Sequence, residues 1–433
     1  MERVRARAAT LFRDNDNGGL RWLPVTLVMS VSILGGILRT APRLPLNSFW
    51  AEDGAIFYSD ALKLGVLESL LHPYAGYLHL VPRLLGAAAV AAPIAAAPSV
   101  IALEAATVCG LLAVVTLRAS AGHITNRLVR YSLALFVAIQ PIAAEVVLVP
   151  LANLQWHLMF AAFLSLLWKP RTAIAMIAPA VVCFLAAASS PFGVVLLPLA
   201  FLRMVALRDR RDAIIPGTLT IGTVLQIVVM MTAPSRELQI MGDPVRLGAW
   251  YLAHVVAPTV FGERLVGARV TLSALLLAAL VVALLCLLWL VIGRQSRQEL
   301  WPVVSVSVIY SLLFYAAPTV AVGLAAPRYT VTAALTLAFG IAVVVSRACA
   351  SQSFMPSGRR TILATGVVWL LVAGVAVGWT SAVWTSRPDG PLWNESLRQA
   401  ADDCVGTWLP QTTIPISPDG WMMQAPCWKV VRG

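Results

Sequence analysis

The chain has 433 residues, of which 59% are hydrophobic and only 12% are charged, with a formal net charge of +12. A soluble domain carries roughly 25% charged residues, so this composition excludes an ordinary water-soluble globule. Most of the positive excess falls in short loops between apolar runs, where the positive-inside rule explains it, and we do not expect nucleic-acid binding.

Apolar runs recur along the chain, and about 20 such residues are enough to cross a bilayer as a helix. The basic segment 1–22 precedes the first apolar run, and no small-residue cleavage site follows that run. This pattern predicts a cytoplasmic tail and an uncleaved first helix. We expect an all-α polytopic membrane protein with about eleven transmembrane helices, its N-terminus inside and its C-terminus outside. The predicted spans are 23–39, 99–117, 131–149, 156–168, 172–188, 192–207, 213–232, 270–293, 300–317, 329–346 and 361–380.

The segment 79–97 is apolar enough to be a further span, but a crossing there would turn every later basic loop outward. Charged and imidazole side chains interleave with apolar ones from residue 60 onward, as in helices that lie in the membrane interface. We therefore place 60–97 at the outer face as one or two interfacial helices. Twelve spans, with the parity repaired elsewhere, is the alternative.

The predicted organisation is a transmembrane domain, 23–380, with large outer loops at 40–97 and 233–269, and a small extracytoplasmic cap at 381–433. The cap is polar and contains five tryptophans, which indicates a small packed unit. Cys404 and Cys427 lie in it, and we expect them to form a disulfide because the outside is oxidising. Chemistry must then use loops and the outer ends of helices.

The segment 47–58, NSFWAEDGAIFY, carries the most chemical information. Glu52 and Asp53 are adjacent carboxylates between the aromatic residues Trp50 and Phe57, shortly after the first span. Carboxylates near a bilayer are unfavourable unless they are paired or solvated, so they are candidates for a functional site, with Trp50 as a substrate contact. A solvated turn at Asp53-Gly54, with the aromatics in an interfacial belt, explains the segment as well.

A first span, a long outer loop with an acidic motif, interfacial helices and a multi-span bundle together resemble the GT-C superfamily of membrane glycosyltransferases. The segment WAEDG, 50–54, looks like that of actinobacterial members. The resemblance implies inverting transfer of a sugar, mannose or arabinofuranose, from a polyprenyl-phosphate donor to a cell-envelope glycolipid or glycan at the outer face of the plasma membrane. It also implies that a carboxylate of the first outer loop is the general base, with Asp53 the first candidate and Glu52 the second.

Transfer from a lipid phosphate needs a carboxylate for the acceptor proton and positive charge or hydrogen-bond donors for the leaving phosphate. Arg328, beside Tyr329 at the outer start of a predicted span, is the first candidate for the phosphate, although it could instead snorkel to the interface. His79 and Arg83 in the interfacial segment are further candidates. The outer turn between the third and fourth spans adds Asn153, Gln155, Trp156 and His157, which a capped helix junction would also explain.

The pair Glu52-Asp53 could also bind a divalent cation through its oxygen atoms, so metal dependence stays open. Two other classes of protein stay open as well. A transporter or flippase of a lipid-linked precursor would place ionisable groups near the bilayer midplane and usually shows repeats. A non-catalytic membrane scaffold would need none of these side chains. The ionisable groups cluster toward the predicted outer face and no repeat is visible, which favours the glycosyltransferase.

Overall fold

Most of the structure is α-helical, because an apolar run in a bilayer satisfies its backbone hydrogen bonds best within its own segment. The computed structural model describes residues 8–14, 22–39, 45–142, 150–207, 209–233, 240, 242–267, 269–351, 358–382, 390–405 and 410–432. The outer part of the predicted third span, 143–149, therefore lies outside the described residues.

The helices of the first half are α1 (Trp22–Arg39), α2 (Ser59–Leu64), α3 (Val66–Leu71), α4 (Leu80–Ala89), α5 (Ala97–Ala119), α6 (Arg127–Ile139), α7 (Leu154–Leu167), α8 (Ala173–Ser189), α9 (Leu197–Leu207) and α10 (Ile214–Thr232). The second half continues with α11 (Pro244–Tyr251), α12 (Ala257–Phe261), α13 (Glu263–Val266), α14 (Leu272–Val291), α15 (Arg294–Val322), α16 (Thr330–Ser351) and α17 (Gly358–Ala382). The cap consists of α18 (Trp393–Val405), the strands β1 (Gln411–Ile416) and β2 (Trp421–Pro426), and α19 (Cys427–Arg432).

Five helical segments of the described chain are long and apolar enough to cross a membrane: Ile94–Ala119, Arg211–Thr232, Leu272–Val291, Arg294–Val322 and Pro327–Ala350. Shorter apolar helices accompany them: Trp22–Leu38, Leu80–Ala89, Leu151–Leu167, Ala173–Ser189, Pro191–Leu207 and Thr365–Gly378. The main body is thus that of a helical membrane protein. All 14 residues of α7 are buried, as expected of a helix that is hydrophobic on every side.

The segment 79–97 contains the ten-residue helix α4 and the 3-10 turn Ile94–Ala96, which leads directly into α5 at Ala97. Ten helical residues rise about 15 Å, which is half of the roughly 30 Å of a hydrocarbon core. This length favours the interfacial placement of the segment over a crossing.

The described part 242–267 of the second predicted outer loop is largely helical. It holds α11, the wide turn Leu252–Val256, α12 and α13, and its residues Val255 and Ala257 are fully buried. Backbone packs on backbone here, since a Cβ added at Gly378 of α17 would lie 2.5 Å from the carbonyl carbon of Phe261. The apolar stretch that follows His254 explains this folding better than the flanking charges do.

The cap departs from the all-α expectation, because β1 and β2 pair as an antiparallel hairpin from Gln411↔Pro426 to Ile416↔Trp421. A disulfide joins Cys404 of α18 to Cys427 at the start of α19, with 5.5 Å between the Cα atoms. The cap packs on the segment that precedes α5: the indole of Trp393 donates a 3.0 Å hydrogen bond to the carbonyl of Ile94. Trp384 and Trp408 lie outside the described residues.

Candidate functional site

A cavity of about 700 Å³ lies where several helix ends meet the predicted first outer loop. Its lining includes these sequence candidates: Glu52, His79, Asn153, Gln155, Trp156, Arg328 and Tyr329. Apolar side chains form another part of the wall: Phe192, Val194, Val195, Met230, Ala317, Ala321 and Val322. One space therefore contains a carboxylate, a guanidinium, amides and an imidazole next to a purely apolar surface.

The acidic turn is held by the C-terminal cap. Ala51 has φ +35°, a left-handed conformation that is unusual for a residue with a Cβ. Its amide donates a 2.6 Å hydrogen bond to the carbonyl of Ser417, and the amide of Ser417 donates a 3.0 Å bond to the carbonyl of Phe49. These two bonds fix the direction in which the chain enters the wide helical turn Asp53–Tyr58, and Glu52 lies at its start on the cavity wall.

Asp53 is buried, with 3% of its surface exposed, and it is not among the described residues that line the cavity. Its Oδ1 accepts a 2.9 Å hydrogen bond from the backbone amide of Leu151. Leu151 opens the short 3-10 turn that leads into α7, where a carboxylate satisfies an amide that has no partner in the helix. The carboxylate thereby ties the acidic turn to the edge that carries Asn153 and Gln155.

Arg328 lies in the 3-10 turn Pro327–Tyr329, just before α16. Its guanidinium carbon is 5.4 Å from the centre of the Tyr329 ring, and no ion pair joins it to a carboxylate of the described residues. Tyr329 packs on Trp156 with 5.3 Å between the ring centres, and Trp156 stacks on Phe192 at 5.9 Å. A half-buried cation beside aromatic rings is suited to an anionic ligand.

His79 precedes α4 and is neutral at ordinary pH. Burial lowers its pKa to about 3; the hydrogen bond with the Tyr77 carbonyl acts in the opposite direction, and the charge of Arg83 lowers the pKa further. A neutral ring can donate from one nitrogen and accept at the other, and it adds no charge to the cavity. The cation that the cavity offers is therefore Arg328 rather than His79.

Three other candidates are buried and are not among the described residues of the cavity wall. Arg83 has a fully buried side chain, forms an ion pair of 2.7 Å with Asp60 and lies 5.4 Å from the Phe57 ring centre. His157 makes a 3.3 Å hydrogen bond with Gln140. Trp50 is 8% exposed and forms an isolated bridge with Ser417 of the cap.

The position of Arg83 follows from close helix packing. Gly86, one turn later in α4, lets this helix approach the backbone of Phe57, where a Cβ would meet the carbonyl carbon and oxygen at 3.0 Å. Because α4 lies this close to Phe57, the guanidinium of Arg83 reaches Asp60 in α2 and not a ligand in the cavity. The sequence showed an arginine in an apolar helix but not which partner would neutralise it.

Tyr74 and Tyr77 line the cavity but are absent from the sequence candidates. They flank Ala75-Gly76, a dipeptide that favours a turn. A pair of tyrosines around such a turn is the sequence pattern that could have indicated them. Tyrosines near a membrane face are usually interpreted as an interfacial belt, so the sequence alone does not single out these two as cavity residues.

Within the part of the chain that the structure describes, no group of three or more histidines, cysteines, aspartates and glutamates is placed to hold a metal ion. Glu52 and Asp53 diverge, since Glu52 lines the cavity and Asp53 bonds to Leu151. Their side chains are therefore placed to act separately.

Comparison of the chain with models of protein families gives no match, and no curated protein matches it.

Proposed function

We propose that this protein is a membrane glycosyltransferase, which moves a sugar from a polyprenyl-phosphate donor to a cell-envelope glycolipid or glycan at the outer face of the plasma membrane. One observation carries the proposal. Glu52 and Arg328 line the same cavity, and part of its wall is purely apolar. A lipid-phosphate sugar needs all three: a proton acceptor, a cation and an apolar surface for its chain.

The reaction uses Glu52 as the general base, which reverses the order in which the sequence ranked the two carboxylates. As the acceptor hydroxyl attacks the anomeric carbon, its proton passes to the Glu52 carboxylate and the bond from that carbon to the phosphate oxygen breaks. The phosphate leaves with the bonding electrons, and direct attack inverts the anomeric centre. Asp53 positions the turn through its bond to Leu151 rather than taking the proton.

Arg328 stabilises the leaving phosphate, because charge accumulates on the phosphate oxygens as the bond to the sugar breaks. The side chain of Asn153 supplies an amide for sugar hydroxyls, and Gln155 supplies its amide oxygen, since its Nε2 already donates to Tyr77 and Ala152. The apolar wall formed by Val194, Met230 and Val322 accommodates the first part of the prenyl chain.

The topology of eleven spans with the N-terminus inside belongs to the same proposal. The cavity is built from the start of α7, the turn after α8, and the C-terminal ends of α10 and α15. If the spans alternate from an N-terminus inside, all of these ends lie outside. The active site then faces the compartment that contains lipid-linked sugars and envelope acceptors.

The test is transfer of radiolabelled sugar from a panel of polyprenyl-phosphate donors to lipid acceptors by purified protein. Wild type is compared with Glu52→Gln, and with Glu68→Gln on the exposed face of α3 as the matched control. General-base catalysis contributes about 10²–10⁴-fold, so Glu52→Gln should lose at least about a hundredfold while Glu68→Gln keeps the wild-type rate. Wild-type rates in Glu52→Gln would refute the assignment of the base. If wild type transfers nothing from any donor, the flippase and scaffold alternatives are favoured.

A further inference from the structure

Residues 74–77 form a minimal hairpin at the cavity wall. The amide of Tyr74 donates a 3.0 Å hydrogen bond to the Tyr77 carbonyl, and the amide of Tyr77 donates a 3.2 Å bond to the Tyr74 carbonyl. Ala75 and Gly76 between them have φ of +51° and +84°. Two successive positive φ values are those of the tight two-residue hairpin turn, which rigidly sets the directions of the flanking side chains.

The rings of this hairpin belong to an aromatic cluster around His79. Tyr77 stacks on His79 with 4.0 Å between ring centres and 28° between planes, and Tyr74 lies 5.5 Å from His79. Phe57 supports both, at 6.1 Å from Tyr74 and 5.5 Å from His79. Tyr74, Tyr77 and His79 all line the cavity, so the cluster gives it a rigid aromatic surface without charge.

Gln155 connects this aromatic surface to the start of α7. Its Nε2 donates hydrogen bonds to the Tyr77 hydroxyl at 3.2 Å and to the Ala152 carbonyl at 3.1 Å. Its Oε1 has no hydrogen-bond partner among the described residues, and neither has the indole nitrogen of Trp156. Both residues are 4% exposed and line the cavity. A buried acceptor and a buried donor that both lack protein partners are unfavourable unless water or a ligand satisfies them.

The hairpin also forms a polar part of the cavity wall. Tyr74 and Tyr77 carry hydroxyl groups and His79 an imidazole, whereas Val194, Met230 and Val322 form the apolar part of the wall. A prenyl chain is accommodated by the apolar part, which leaves the hairpin for a ligand with hydroxyl groups.

We propose that the hairpin Tyr74–Tyr77 with His79 is the acceptor subsite, in which a sugar ring of a glycan packs on the tyrosines and its hydroxyls bond to Gln155 Oε1 and the Trp156 indole. The sugar is the ligand class that matches, because it has an apolar ring face and hydroxyls that both donate and accept. This assignment rests on the proposed function, and it names the part of the cavity wall that binds the acceptor.

The first experiment measures binding without any donor. Saturation-transfer NMR is recorded with methyl α-D-mannopyranoside and methyl α-D-arabinofuranoside on purified wild type in detergent, then on Tyr77→Leu, which removes the ring. Tyr131→Leu in α6, remote from the cavity, is the control. Loss of a ring contact and its hydrogen bond corresponds to about a tenfold weaker affinity, which is expected for Tyr77→Leu and not for Tyr131→Leu.

The second experiment separates the acceptor from the donor in steady-state kinetics. Tyr77→Leu should raise the KM for the acceptor about tenfold. Trp156→Phe keeps an aromatic ring but loses the indole N–H, and it should raise the acceptor KM about threefold. The KM for the donor should stay unchanged in both variants. Trp156→Phe keeps the test usable if Tyr77→Leu does not fold.

The outcomes distinguish the subsite from the proposed function. Glycoside binding that depends on Tyr77, without transfer from any donor, supports the sugar subsite and rejects the transferase. Transfer with the acceptor KM unchanged in both variants overturns the subsite and leaves the transferase intact. Absence of saturation transfer to either glycoside from wild type also overturns the subsite.

Discussion

The carboxylate of Asp53 accepts a 2.9 Å hydrogen bond from the amide of Leu151, a residue 98 positions further along the chain. This contact joins the acidic turn after α1 to the start of the fully buried helix α7. It gives the two adjacent carboxylates different tasks: Asp53 holds the frame of the cavity, and Glu52 lines it.

Replacement of Asp53 should therefore affect stability more than replacement of Glu52. Asp53→Ala leaves the Leu151 amide without its acceptor, which corresponds to about 1–2 kcal/mol of unfolding free energy. Asp53→Asn keeps an acceptor and should lose less. Glu52→Gln should leave the melting temperature unchanged while it lowers the transfer rate at least about a hundredfold. Thermal unfolding of the three purified variants measures this, and an unchanged melting temperature in Asp53→Ala contradicts the framing role.

Arg328 should act on the donor. Arg328→Gln removes the cation from the cavity and is expected to lower kcat/KM for the donor by about 10–100-fold, because the leaving phosphate loses its charge partner. Arg246→Gln is a matched control, since Arg246 also lies over an aromatic ring, 4.5 Å from the centre of Trp250, but outside the cavity lining. Equal rates in the two variants would remove Arg328 from the phosphate site.

The conformation of Ala51 predicts a stabilising substitution. With φ at +35°, a Cβ is unfavourable, and glycine adopts this region freely. Ala51→Gly should raise the unfolding free energy by about 0.5–1 kcal/mol. Ala61→Gly, at a helical position in α2, should lower it by a similar amount. Chemical denaturation of both variants checks the sign, and a loss of stability in Ala51→Gly shows that the turn is not strained.

The pair of Arg83 and Asp60 should be required for the fold rather than for catalysis. Asp60→Ala leaves a fully buried guanidinium without its 2.7 Å partner, which should destabilise the protein by about 2–4 kcal/mol. Arg83→Met on the background of Asp60→Ala removes the uncompensated charge and should recover much of that loss. Failure of the double variant to recover would indicate that Arg83 contributes through packing on Phe57.

The buried ring of His79 should make the stability of the protein depend on pH. Burial lowers the pKa of its ring from 6.5 to about 3, so the folded state favours the neutral form. The stabilisation is complete above about pH 6.5 and declines as the pH falls toward 3, because the unfolded chain takes up the proton first. His79→Gln should flatten this decline, and His72→Gln, at an exposed position, should not. Melting temperatures between pH 4 and 8 measure the difference.

Several features of the fold could be predicted from local sequence. The apolar runs at 99–117 and 270–293 are helices, Ala97–Ala119 and Leu272–Val291, because a helix satisfies its backbone within its own segment. The hydropathy of the segment 79–97 also allows a crossing, and only the short length of α4 favours the interface. The hairpin of the cap was missed, because its β-pairing depends on contacts that alternation in a short polar tail does not reveal.

The sequence by itself determined that this is a helical membrane protein, and it singled out residues that line one cavity, among them Glu52, Asn153 and Arg328. Only the tertiary structure decided which of Glu52 and Asp53 lines that cavity, because the turn is set by hydrogen bonds between Ala51 and Ser417 and between Asp53 and Leu151. Helix formation and membrane solubility follow from the composition of short segments. The direction of a single side chain depends on partners that lie far away in the chain, and a local pattern contains no information about them.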